Sequence, residues 1–184
     1  TAPRYCSAMT FPTARFEGCF PELFGFVLLD ATGLDDVGAG SPVGRNLLQL
    51  FSTSKQGDQV VRDGIAIPAQ NIDPGFYTVL VRHAQSPSAW QDPKVTSAGW
   101  VLHVRSGELL LCGLGYLTKW TPDHPRHRRI SVPPGWYEVE VRGHLLDPDD
   151  SDDAAYEFVL SGPTGARPTF HAHLNHGLNF IDND

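Results

Sequence analysis

The stretch "TFHAHLNHG", Thr169 to Gly177, has the most chemically suggestive spacing in this chain. On a strand, alternate side chains share a face. His171 and His173 would then project together, and His176 in the following turn could swing in to complete three imidazole ligands. Such a set holds zinc or another divalent metal and keeps one coordination position open for water. No acid adjoins it in sequence, so a metal-dependent enzyme or small-ligand binder built on it needs a carboxylate, such as Asp182, delivered by the fold.

Charge is concentrated in two other places. Asp147, Asp149, Asp150, Asp152 and Asp153 supply most of the net charge of -7, and without them the chain is nearly neutral. Their alternation is similar to a calcium loop, but the sixth position is Asp152 where a glycine is needed and the twelfth is Phe158 where a bidentate glutamate is needed. The stretch therefore reads as a solvated acidic loop joining two strands, able to steer a basic partner. In "WTPDHPRHRR", Trp120 precedes Arg126, Arg128 and Arg129, whose guanidinium groups can grip carboxylate or phosphate bidentately. Nothing else in the chain is basic enough for an extended nucleic-acid footprint, so internal pairing of these arginines with the acidic loop is expected. Cys112 in "LLLCGLGY" reads as a small apolar thiol closing a buried strand, not as a nucleophile. No nucleophile elbow, phosphate-binding loop, paired Cys-x-x-Cys or helical His-Glu-x-x-His appears.

The elements that must position these groups read as strands. Across 184 residues, 18 Gly and 15 Pro are spread along the whole length, which breaks up long helices and supplies turns. Segments 1–22 read as irregular. "FGFVLLD" reads as a buried strand, "NLLQLF" leans to strand, and "QVVRDGIAIP", "FYTVLVRH", "GWVLHVRSGELLLC", "RRISVP", "WYEVEVRGH", "YEFVLSG" and "TFHAHL" continue the series. Ser106-Gly107 is placed as a hairpin turn within a meander.

One cassette occurs twice, in "PGFYTVLVRH" and "PPGWYEVEVRGH". After each Pro-Gly turn, Tyr77, Val79 and Val81 in the first copy, and Tyr137, Val139 and Val141 in the second, point to one face. The outer faces differ: Thr78, Leu80 and Arg82 against Glu138, Glu140 and Arg142. The cassette resembles pieces of transthyretin-like and related sandwiches, in which a tyrosine hydroxyl closes the corner on backbone. It reads as scaffold, although scaffold chemistry does not itself require the two arginines.

A single-domain, antiparallel all-β protein follows, a sandwich or distorted barrel with few or short helices. Three cysteines at irregular spacing point to a reducing, cytoplasmic setting, with a Cys6–Cys19 bridge as the alternative. The absence of any apolar run near 18 residues predicts no membrane span. Arg-rich, Lys-poor usage points to a bacterial source. With no complete catalytic set, the expected function is a non-enzymatic protein-binding module that recognises another protein, as an immunity-type inhibitor or adaptor, with Trp90, Trp100 and Trp136 as further aromatic anchors. No cofactor is expected unless the histidines hold a metal.

Overall fold

In a computed structural model, the structure describes residues 9–38 and 40–181, with backbone alone for 151 and 152. Two sheets face each other. One has the order β1 (Ala14–Cys19), β4 (Tyr77–His83), β9 (Asp150–Thr164), β8 (Gly135–Asp147), β5 (Val95–Val104). The other has the order β3 (Ala66–Gln70), β2 (Gly25–Leu29), β6 (Glu108–Gly113), β7 (Arg128–Ser131). This is the expected all-β sandwich. All pairings between these strands are antiparallel except β4 with β9, which run parallel.

The core between the sheets is built by alternation. Phe26 and Leu28 of β2 meet Tyr77, Val79 and Val81 of β4, Tyr137, Val139 and Val141 of β8, and Tyr156, Phe158 and Leu160 of β9. Burying this much apolar surface is the main stabilising contribution to the fold. Val27 and Leu29 point the other way, into a second apolar layer under α1 (Leu47–Thr53), α2 (Lys55–Arg62) and two 3-10 turns, Ala31–Asp36 and Leu114–Lys119. A strand covered on both faces must read as an unbroken apolar run, and "GFVLL" does.

Several local expectations are corrected. "NLLQLF" is helical: Asn46 caps α1, its side chain accepting from Gln49 N at 2.9 Å, and Leu47, Leu48, Leu50 and Phe51 follow the helical period. Gln59 to Arg62 of "QVVRDGIAIP" end α2, and only Ala66 onward is strand. Ala14–Cys19, within the segment expected to be irregular, is an edge strand. Ser106-Gly107 does make a turn with positive φ at Gly107, but it carries the chain from one sheet to the other and is no hairpin, so the meander fails. Asp30 holds that crossing, accepting from Arg105 N at 2.7 Å and Ser106 N at 2.8 Å. Of the two cassette glycines, Gly135 has positive φ and Gly75 does not.

"TFHAHL" is extended but pairs with no strand. His171 N donates to Gly99 O at 3.1 Å and Leu178 N to Gln70 O at 3.0 Å, so residues 170–178 form a strap from the β5 edge to the β3 edge. Phe170, Ala172 and Leu174 pack inward on the core.

Candidate protein-binding surface

The strand directions bring four connections to one end of the sandwich. The β1–β2 loop (20–24), the β3–β4 loop (71–76), the segment from Gly113 to His127, and the β8–β9 hairpin tip all lie there, because Cys19 pairs with Tyr77, Gly25 with Gln70, Phe26 with Gly113, and Thr78 with Ala155. Phe76 at this end is 73% exposed, Phe24 56%, Leu23 55% and Phe20 39%. They make up four of the six exposed large hydrophobic residues described, the others being Met9 and Val43. The rings of Phe20 and Phe76 lie 5.5 Å apart.

Two of these residues are held outward against local preference. Leu23 and Phe24 have φ of 54° and 63°, a left-handed conformation costing about 1–3 kcal/mol at a residue with a side chain. Hydrogen bonds on both sides over-determine it: Phe24 N donates to Pro21 O at 2.9 Å, Ile72 N to Phe24 O at 3.0 Å, and Gly115 N to Glu22 O at 3.1 Å. The close approach of this loop requires glycine opposite. A Cβ on Gly115 would lie 2.8 Å from Glu22 Cβ, and one on Gly113 would lie 2.9 Å from Glu22 N. "CGLG" is thus a landing place for the strained loop.

Beneath the aromatic rim is a cavity of about 270 Å³, bordered by Cys19, Phe20, Phe76, Tyr116, Arg126 and Arg128. Burial pushes both thiols up, that of Cys112 to about 12, so neither is a ready thiolate. Burial, joined by the neighbouring Glu22 carboxylate, also raises the Tyr116 hydroxyl. Arg126 and Arg128 are exposed at the mouth, Arg128 with its guanidinium 5.9 Å from the Phe16 ring. Arg129 pairs instead with Glu108 at 2.5 Å and Asp123 at 3.5 Å. The expected pairing with the acidic loop is thereby replaced, since acids on β6 and in the preceding turn are nearer.

The acidic stretch is the tip of the β8–β9 hairpin, with Asp147 opposite Asp150. Asp147, Asp149, Asp150 and Asp153 are exposed, and Asp152 is placed by its backbone alone. Asp147 accepts from Asp149 N at 2.9 Å, an ordinary turn contact. Extended back two residues, the Thr78–Ala155 register sets Phe76 level with Asp153 on the neighbouring strand.

Trp120 does not belong to this surface. It is 1% exposed, packed in the helical layer and stacked 5.2 Å from the His127 ring, because the turn before it folds back over β2 and β6. Trp100 is likewise buried, its indole N–H donating to Ser97 Oγ at 3.0 Å. Trp90 and Trp136 are half-buried against His144 and His103. His171 and His173 do share the outer side of the strap, but the segment lacks a strand ladder. Among the described residues, no three His, Cys, Asp or Glu side chains gather as a metal site, so His176 does not complete the set. Cys6 and Asp182 lie outside the described residues.

The aromatic loops escaped the sequence reading because Phe20, Leu23, Phe24 and Phe76 look like core residues there. The one signal was "PGF", where Phe76 precedes the inward Tyr77 and must face the opposite way.

No protein-family model matches the chain, and no curated protein matches it closely. Among solved structures, the chain is similar to one named Crocagin biosynthetic gene J, at 18% identity over 82% of this chain and 98% of that one, with a TM-score of 0.47. It is also similar to ComJ from Bacillus subtilis, named as an inhibitor of the DNA degrading activity of NucA, at 10% identity over 85% of this chain and 98% of that one, with a TM-score of 0.47. Identities this low describe chain path alone and transfer no residue role. No helix among the described residues is long and apolar enough to cross a membrane.

Proposed function

We propose that this chain is a non-enzymatic protein-binding module, an inhibitor or adaptor, whose contact surface is the loop end of the sandwich. The observation that carries this is the gathering of Phe20, Leu23, Phe24 and Phe76 at one end, two of them held outward by strained backbone. Solvent-facing aromatics cost solubility without adding to the core, and strain kept at a surface is a mark of function. The apolar centre has charged flanks, as protein interfaces do: Arg126 and Arg128 on one side, and Asp147, Asp149, Asp150 and Asp153 on the other. The aromatics supply anchor energy, and the charges set orientation and encounter rate. Arg129 stands at the margin, already paired.

The test is capture from native lysate with the intact protein and with a Phe24→Ser, Phe76→Ser double variant as baits. The variant should melt within a degree or two of the parent, because neither ring contributes to the core. Proteins retained by the parent and lost by the variant support the reading. Identical retention by both baits overturns it.

A further inference from the structure

Of the three arginines in "HPRHRR", the fold neutralises one. Arg129 is paired with Glu108 and Asp123, whereas Arg126 and Arg128 have no carboxylate partner among the ion pairs of the described residues. Both are exposed, and both border the cavity of about 270 Å³ beneath the aromatic rim. Glu22 borders the same cavity. Tyr116 stands beside its carboxylate, yet Glu22 Oε2 is buried and accepts no hydrogen bond among the described residues. A buried acceptor without a donor is unfavourable, so the cavity is completed by a group that brings one. Phe20, Phe76, Leu111 and Cys112 make the rest of the wall apolar, and burial keeps the Cys112 thiol protonated and uncharged.

These features specify an occupant. Two guanidinium groups against one carboxylate leave one positive charge to match, the orphaned oxygen requires an N–H, and the walls require an apolar side chain. A cavity of about 270 Å³, just below the roughly 300–1,000 Å³ of sites for drug-sized ligands, admits a chain end and no folded element. An internal aspartate or glutamate side chain supplies the anion but no donor. The last residue of a chain supplies all three: a free carboxylate, the amide N–H beside it and a side chain. Nucleic acid is matched less well, because two open arginines answer too few phosphates for backbone binding, and Asp147, Asp149 and Asp153 stand exposed at the same end, where they repel a polyanion.

We propose that this cavity captures the carboxyl terminus of the partner protein, with the terminal carboxylate held by Arg126 and Arg128, the last amide N–H donating to Glu22 Oε2, and an apolar last side chain lying against Phe20 and Phe76. The inference rests on the loop end being a protein-binding surface, and it adds the chemistry of what enters. Guanidinium forks match a carboxylate in geometry as well as charge, and capture of a chain-terminal carboxylate is a recurring mode of peptide recognition.

Amide NMR titration of the full chain tests this with four probes: N-acetyl-leucyl-phenylalanine, its C-terminal amide, N-acetyl-aspartyl-phenylalanine amide, whose acid is internal, and a thymidine tetranucleotide. The free acid should shift the amides of Glu22, Gly113 and Tyr116 saturably, and should bind about tenfold or more tighter than either amidated peptide. An Arg126→Gln, Arg128→Gln double variant, changed only at exposed positions, should keep the parental melting curve and bind the free acid no better than its amide. The inference is overturned by a free acid that gives no saturable shift at the loop end, by equal binding of acid and amide, by tighter binding of the internal-acid peptide or the tetranucleotide, or by a double variant that binds as the parent does. If the peptide acid fails while lysate capture is still lost on Phe24→Ser, Phe76→Ser, this inference alone falls. Identical retention by both baits instead removes the reading beneath it.

Discussion

In β4 and β8 the tyrosine after the Pro-Gly turn closes the same corner. Tyr77 Oη donates to Asp73 O at 2.9 Å, and Tyr137 Oη to Pro133 O at 2.7 Å. Three inward residues in each strand then enter the same core. On the outer face the likeness ends. Arg82 is buried and bonded to Glu157, itself fully buried, and its guanidinium donates to Ser86 O at 2.9 Å. Ser88 Oγ donates to Glu157 Oε1 at 3.2 Å, and His144 reaches Glu157 Oε2 at 3.2 Å. Among the described residues Arg142 has an ion pair with Glu140 alone, at 2.5 Å, both partly open to solvent. The difference lies in what covers each strand. The chain leaving β4 returns over its outer face, through Ser86, Ser88 and Trp90, to begin β5, whereas β8 continues directly into β9. A repeated arginine therefore marks a buried ionic centre in one copy and a surface pair in the other, and neither is at the loop end.

The largest expected effect separates the two arginines. Arg82→Ala leaves Glu157 buried without its cation and should cost about 3–5 kcal/mol in denaturant unfolding. Arg142→Ala should cost about 1 kcal/mol or less, since exposed pairs contribute little. Equal losses would break the contrast. Next come the tyrosines: Tyr77→Phe and Tyr137→Phe should each cost about 1–2 kcal/mol, by similar amounts, since each leaves one carbonyl short of a donor. A marked inequality would show that the corners are not equivalent.

The smallest effect is in acid. Burial pushes the Glu157 carboxyl up, but hydrogen bonds from His144 and Arg82, with the Arg82 charge, outweigh it and hold the group below its ordinary range. A carboxylate with a depressed folded pKa adds stability that is fully present above its unfolded value, near about pH 4.3, and is lost as pH falls through the folded value. Removing Arg82 takes away part of that depression. The acid loss of Arg82→Ala should therefore begin at higher pH than in the parent, while Arg142→Ala should keep the parental acid profile. Unfolding midpoints measured from neutral pH down through about pH 4 will show the displacement or its absence.

Much of the fold was legible because alternation and turn chemistry are local. The inward faces of β4 and β8, the tyrosine corners and the doubly buried β2 follow from residue order alone. Over "NLLQLF" the helix was legible too, in the spacing of Leu47, Leu48, Leu50 and Phe51 behind an Asn46 cap, but six residues are too few for period to outweigh the surrounding strand pattern. Burial of Arg82 depends on the path of a loop that carries no periodic signal. The proposed binding surface was legible only in its charged flanks, because an exposed phenylalanine and a core phenylalanine look alike until strand direction assigns each a side.

The central claim is that the sandwich carries its function at the loop end. Photo-crosslinking tests it most directly, with a diazirine amino acid placed at Phe76 in one sample and at Ala166, exposed beyond the opposite end of β9, in another. In native extract, irradiation should yield discrete crosslinked protein species from position 76 and none of them from position 166. The same species from both positions, or from 166 alone, would contradict the account.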